Sequence, residues 1–176
     1  MSKHFQRFLI LSVISLCIFS STAFAEKPVQ IALFNPIQLF SEDESIKGVR
    51  LNLIYGKNAA LTGIDFGFVN HLTAPSLGIQ YSFLANISDS DFTGYQHGFI
   101  SITKGSLFGL QSGAYNYSKN ATGIQWGFIN VANRMEGVQF GFINYTVSMK
   151  GLQIGFANVI RQGGVLPVLP IINFSF

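Results

Sequence analysis

The chain has 176 residues, 48% of them hydrophobic and only 11% charged, with 18 Phe, 18 Gly, one Cys and a formal net charge of +3. So few charges exclude a nucleic-acid surface, where basic residues would cluster and interleave with the aromatics. They also leave little with which to clothe a wetted exterior.

At the N-terminus Lys3, His4 and Arg7 precede an apolar run from Phe8 to Phe19 and then Ala23-Phe24-Ala25. This order reads as a secretory signal peptide over residues 1–25, cleaved after Ala25. Cys17 follows Leu16, where lipid modification needs a small residue. Removal of the leader takes Cys17 with it, so neither a disulfide nor thiolate chemistry is expected of residues 26–176. Nine basic residues then face eight acidic ones, a net charge of about +1.

From Val29 to Phe40 the segment VQIALFNPIQLF reads as a strand interrupted at Pro36. The acidic turn 41–45 follows and reads as a solvated loop. Eight similar units come next, headed by Gly48, Gly63, Gly78, Gly94, Gly109, Gly123, Gly137 and Gly151, in steps of 14 to 16 residues. The last three are GIQWGFIN, GVQFGFIN and GLQIGFAN. A period this short suits one strand and one tight turn, not a helical hairpin. Within each unit apolar residues hold positions 2, 4 and 6 while Gly, Gln and Gly hold 1, 3 and 5, a period-two alternation with two unlike faces.

With so little charge available, the apolar face is expected to meet lipid and the Gln and Gly face to line a lumen. The fold expected is all-β, an antiparallel meander closed as a small transmembrane barrel of about eight to ten strands. The alternative is a parallel β-solenoid with one unit per coil and stacked Gln and Asn ladders. Against it stands the small coil, which barely encloses a core and leaves the row of Trp126, Phe140 and Ile154 in a cramped interior or in water.

On the barrel reading a polar belt occupies position 3: Arg50, Asp65, Gln80, Gln96, Gln111, Gln125, Gln139 and Gln153. Arg50 and Asp65, opposite in sign on neighbouring strands, are expected to form an internal salt bridge. The recurrent Asn at position 8 (Asn70, Asn86, Asn116, Asn130, Asn144, Asn158) is assigned to turn hydrogen bonding. His97, Ser112 and Ala114 make the outward face more polar and thinner over residues 95–117, where a contact between protomers could form. At the end of the chain Phe176, Phe174 and Ile172 alternate like the last strand of an outer-membrane barrel, although Pro167 and Pro170 break the pattern.

The units G-x-Q-x-G-F-x-N, the opening VQIALFNPIQLF followed by GVRLNLIYGKN, and the closing LPVLPIINF together resemble an uncharacterised group of Gram-negative surface-repeat proteins, over residues 29–176. The resemblance implies export and a repeat-built β domain, and lends no site. No catalytic, cofactor-binding or metal site is expected. The histidines at 4, 71 and 97 do not cluster, and Asp89 and Asp91 form one Asp-x-Asp without further ligands. The expected role is structural or surface-interacting and non-enzymatic, in the outer membrane. Its expected partners are membrane lipid and, through the Phe176 end, the barrel-assembly machinery. The alternatives are a narrow transport pore and a secreted solenoid that adheres to a surface.

Overall fold

A computed structural model describes residues 27–176; the signal-peptide assignment lies outside the described residues. The elements are β1 (Val29–Phe34), β2 (Ile37–Gln38), β3 (Ile46–Asn58), β4 (Leu61–Leu72), β5 (Ser76–Ser88), β6 (Phe92–His97), β7 (Ile100–Gln162) and β8 (Val168–Ser175). The units run side by side in the same direction. Gly48 lies over Gly63 and Arg50 over Asp65, Gly63 over Gly78, Gly78 over Gly94, and Gly94 over Gly109, every pair parallel. The glycine column continues through Gly123, Gly137 and Gly151, each against the carbonyl of the one before. The molecule is a parallel β-solenoid, and we number its coils 1 to 8 from Gly48 to Gly151.

This overturns the antiparallel transmembrane barrel. A meander needs each strand to return against its predecessor, whereas here each coil closes on itself and stacks on the next. The likeness to an outer-membrane barrel protein goes with it, as do the outer-membrane placement and the lipid and assembly-machinery partners inferred from it. The C-terminal alternation belongs instead to β8, which turns back antiparallel along coil 8, with Leu152 opposite Phe174 and Gln153 opposite Asn173. At the other end β1 adds a parallel strand to coil 1.

Each coil has two sides. Phe92–His97 stacks on residues 76–81 of β5, while Ile100–Thr103 stacks on Ala85–Ser88. Two sheets therefore face each other across a thin interior, and alternation along each strand decides what enters it. One edge is apolar: Ile46, Leu61, Phe92, Leu107, Ala121, Met135 and Met149 form a column two residues before the motif glycines, packed with Leu72, Ala132 and Ile160 from the other sheet. The rest of the interior is amide. All eight position-3 residues are fully buried, as are the position-8 asparagines.

Glycine makes so narrow a coil possible. At position 1 the backbone has φ between +125° and +145°, a region that side chains disfavour. A Cβ on Gly137 would also lie 2.0 Å from the carbonyl oxygen of Gly123. The position-5 glycines vacate the space that the Asn side chains fill, since a Cβ on Gly127 would lie 2.5 Å from Asn116 Nδ2. Coil 1 shows the same rule reversed. Asn52 stands at the glycine position, Gly56 pairs with Asn70 at the asparagine position, and a Cβ on Gly56 would strike the Asn52 amide.

Candidate functional site: an uncharged aromatic face

The buried amides determine what is left for the exterior. Gln96 Nε2 donates to Gln80 Oε1 at 2.7 Å, and the same bond repeats from Gln111 to Gln96, Gln125 to Gln111, Gln139 to Gln125 and Gln153 to Gln139 at 2.7 to 2.9 Å. Gln80 Nε2 ends the series on Asp65 Oδ2 at 3.0 Å. Asp65 is held bidentately by Arg50, through Nε at 2.9 Å and Nη2 at 2.5 Å, with both side chains fully buried. The aligned amides present N–H to the carboxylate, and Arg50 neutralises it; burial of this pair is tolerable because both charges are hydrogen-bonded.

The Asn ladder donates the other way. Asn52 Nδ2 bonds Asn70 Oδ1, Asn70 bonds Asn86, and Asn116, Asn130 and Asn144 bond forward to Asn130, Asn144 and Asn158. Each forward amide from Asn116 on also donates to a main-chain carbonyl of the next coil, such as Trp126 O at 3.1 Å, which can only accept and so fixes the orientation. The two ladders thus set their dipoles against each other. Serine at position 101 splits the Asn ladder. Asn116 Oδ1 and Ser101 Oγ there lack hydrogen-bond partners, as do Asn52 Oδ1 at the ladder's start and Gln153 Oε1 at the end of the Gln ladder. These asparagines are interior rungs rather than turn residues.

A strand that points its amides inward must point its neighbours out. Positions 2, 4 and 6 of all eight coils project from one sheet, and none of them is Asp, Glu, Lys or Arg. Trp126 is 61% exposed, Phe128 57%, Phe99 60% and Phe83 75%, and Val29, Ile31, Ile172 and Phe174 extend the face onto β1 and β8. The rings stack along the axis: Phe128, Phe142 and Phe156 lie 4.9 Å apart with 3° between successive planes, and Phe66 stacks on Tyr81 at 5.3 Å. Near-parallel rings at the strand spacing mean that successive coils there superpose with almost no twist. The row of Trp126, Phe140 and Ile154 faces out of the molecule, not into it.

The face has one polar interruption, on coils 4 and 5. His97 Nδ1 and the Tyr95 hydroxyl both reach Ser112 Oγ, at 2.7 Å and 2.9 Å, while Tyr81 stacks on the His97 ring at 4.7 Å. The sequence marks His97 and Ser112 as departures from the pattern, and parallel stacking of coils 4 and 5 sets them side by side. Two hollows flank the interruption. One of about 610 Å³ is walled by Trp126, Phe128, Phe140 and Phe142; the other, about 310 Å³, lies between Phe83, Phe99 and Ala114.

Charges gather away from this face. On the opposite sheet and its corner, Tyr55 OH meets His71 Nδ1 at 2.7 Å, His71 Nε2 meets Asp89 Oδ2 at 2.8 Å, and Lys104 Nζ lies 2.7 Å from Asp89 Oδ1. Burial raises the Asp89 pKa, but the bonds from Lys104 and His71 outweigh it and hold the carboxyl below its ordinary value. Burial likewise raises the Tyr55 phenol. Glu42 is held down by Asn35 and then Lys57, and Lys57 is raised by Glu42 across 3.2 Å. Asp91 Oδ1 accepts from the Ser106 amide. Among the described residues no group of three or more His, Cys, Asp or Glu side chains is placed to hold a metal.

No protein-family model, curated protein or solved structure matches the chain.

Proposed function

We propose that the protein is an exported, non-enzymatic solenoid that works by adhesion, holding another apolar surface against its uncharged aromatic face. One observation carries this reading: the apolar face runs along the whole stack and onto β1 and β8, broken only by the polar group of coils 4 and 5, and it holds no Asp, Glu, Lys or Arg. Soluble monomers seldom expose an apolar patch larger than about 300–600 Å² unless it is a contact site. The pore reading is overturned by the interior, where hydrogen-bonded side chains fill the space that a lumen needs.

The test is retention of the purified protein, applied at a dilution where it sediments as a single chain, on a phenyl-substituted matrix in physiological salt, together with fractionation of producing cells. Wild type is expected to be retained and to be found outside the cytoplasm. Phe128→Lys with Phe142→Lys, both at exposed ring positions, should abolish retention while leaving the far-ultraviolet β spectrum unchanged. Passage of the wild type through the matrix, or its confinement to the cytoplasm, would sink the reading.

A further inference from the structure

The geometry points to a second copy of this chain as the surface that the aromatic face holds, in an antiparallel, two-fold dimer; this rests on the adhesive reading and names its partner. Size is the first argument. Ten strands, β1, eight coils and β8, make a face about 45 Å long at the usual strand spacing, and five residues make it about 17 Å wide. That is on the order of 750 Å² per copy, close to the roughly 800 Å² per partner of a stable interface. Its near-planar ring stacks suit the face-to-face packing of two sheets about 10 Å apart.

Symmetry is the second argument. A two-fold axis lying in the face and along its strands sets coil 1 against coil 8, coil 2 against coil 7, coil 3 against coil 6 and coil 4 against coil 5, and β1 against β8. Only coils 4 and 5 depart from the apolar pattern, and they are the central pair of the ten strands. The axis therefore lays His97 of one copy over Ser112 of the other, the one place on the face where a polar group needs a polar partner. At position 6 the same axis lays Phe99, which is 60% exposed, over Ala114, the one small residue at that position, which with Phe83 and Phe99 walls a hollow of about 310 Å³. Large meets small twice, once on each side of the axis. A parallel dimer would instead set each of these coils against its own copy, with Phe99 facing the already bulky Tyr95. No carboxylate, ammonium or guanidinium side chain is buried by the contact, because none lies at positions 2, 4 or 6 of the coils.

The test uses the purified protein with Cys17 replaced by Ser wherever the leader is retained, so that introduced thiols stand alone. Sedimentation is expected to give twice the chain mass. Ala114→Trp fills the hollow and should raise the dimer dissociation constant at least about tenfold, with an unchanged far-ultraviolet spectrum. Leu53→Cys protein mixed with Phe156→Cys protein should cross-link, because coil 1 faces coil 8, whereas Leu53→Cys alone should not. Cross-linking of Leu53→Cys with Val49→Cys, both on coil 1, would show parallel pairing and overturn the inference. A protein that sediments as a monomer yet binds the phenyl matrix overturns it too, while leaving the adhesive reading intact; a monomer that binds nothing removes both.

Discussion

Coils 1 to 4 and coils 5 to 8 solve one packing problem in two ways. In the C-terminal half the step is 14 residues, and the chain runs through Ile100–Gln162 as one uninterrupted element. In the N-terminal half the steps are 15 or 16, the strands break at residues 59–60, 73–75 and 89–91, and the register shifts between Asn52 and Tyr55 and between Gly67 and Val69. Extra residues are absorbed at the corners and the bend, so the buried positions stay aligned. The interior differs too, with an Arg–Asp pair at one end and neutral amides at the other. The difference teaches that this fold conserves a column of hydrogen bonds, not a loop length or a volume of hydrocarbon.

The sharpest way to break the comparison is at its ionic end. Arg50→Met leaves Asp65 buried with its guanidinium gone, and should cost about 3–5 kcal/mol by denaturant unfolding. Arg50→Gln with Asp65→Gln makes coils 1 and 2 resemble coils 6 and 7, and should recover most of that loss, because the Gln ladder then continues by two rungs. A double variant as unstable as the single one would show that the two halves are not interchangeable.

A smaller change sharpens the boundary between the halves. Ser101→Asn places an amide where Asn86 stops and Asn116 Oδ1 lacks a donor, with Gly113 of the next coil standing as Gly127 stands to Asn116. It should stabilise the protein by about 1 kcal/mol, read as a higher denaturant midpoint at unchanged slope.

The smallest effect belongs to the clasp from Tyr55 to Lys104, which has no counterpart in the C-terminal half. Because folding depresses the Asp89 pKa, its contribution is whole above the ordinary carboxylate range and is lost as pH falls through the depressed value. Thermal melts from about pH 6 to about pH 2 should show wild type losing more stability than Asp89→Asn over the acid end. Equal losses would remove the clasp from the stability of the fold.

Much of this was legible in the residues. Spacing alone separated Gln125, Gln139 and Gln153 from Trp126, Phe140 and Ile154, because alternation forces them onto opposite faces whatever the topology. The direction of the next strand was not legible: G-x-Q-x-G-F-x-N is compatible with a return or with a further turn of a coil. Scarce charge and a coil too small to enclose a core both favour the barrel. Here paired amide ladders make a hydrogen-bonded polar interior, and the glycines at positions 1 and 5 make it thin enough to close. The ladder role of Asn70 and its equivalents is legible only on the solenoid alternative, since their partners lie a full coil away. The Asn52 and Gly56 exchange was the available clue, a glycine and an asparagine trading places within one unit.

The three 14-residue steps have one further consequence. Coils that superpose without a corner adjustment can be duplicated or deleted singly, since the rung above and the rung below already match each other. A genetic gain or loss of fourteen codons in this half changes the length of the protein by one strand spacing and leaves both capped ends as they were. Relatives of unequal length are then expected to differ by whole rungs, with the molecule serving as a ruler graduated in turns of its own backbone.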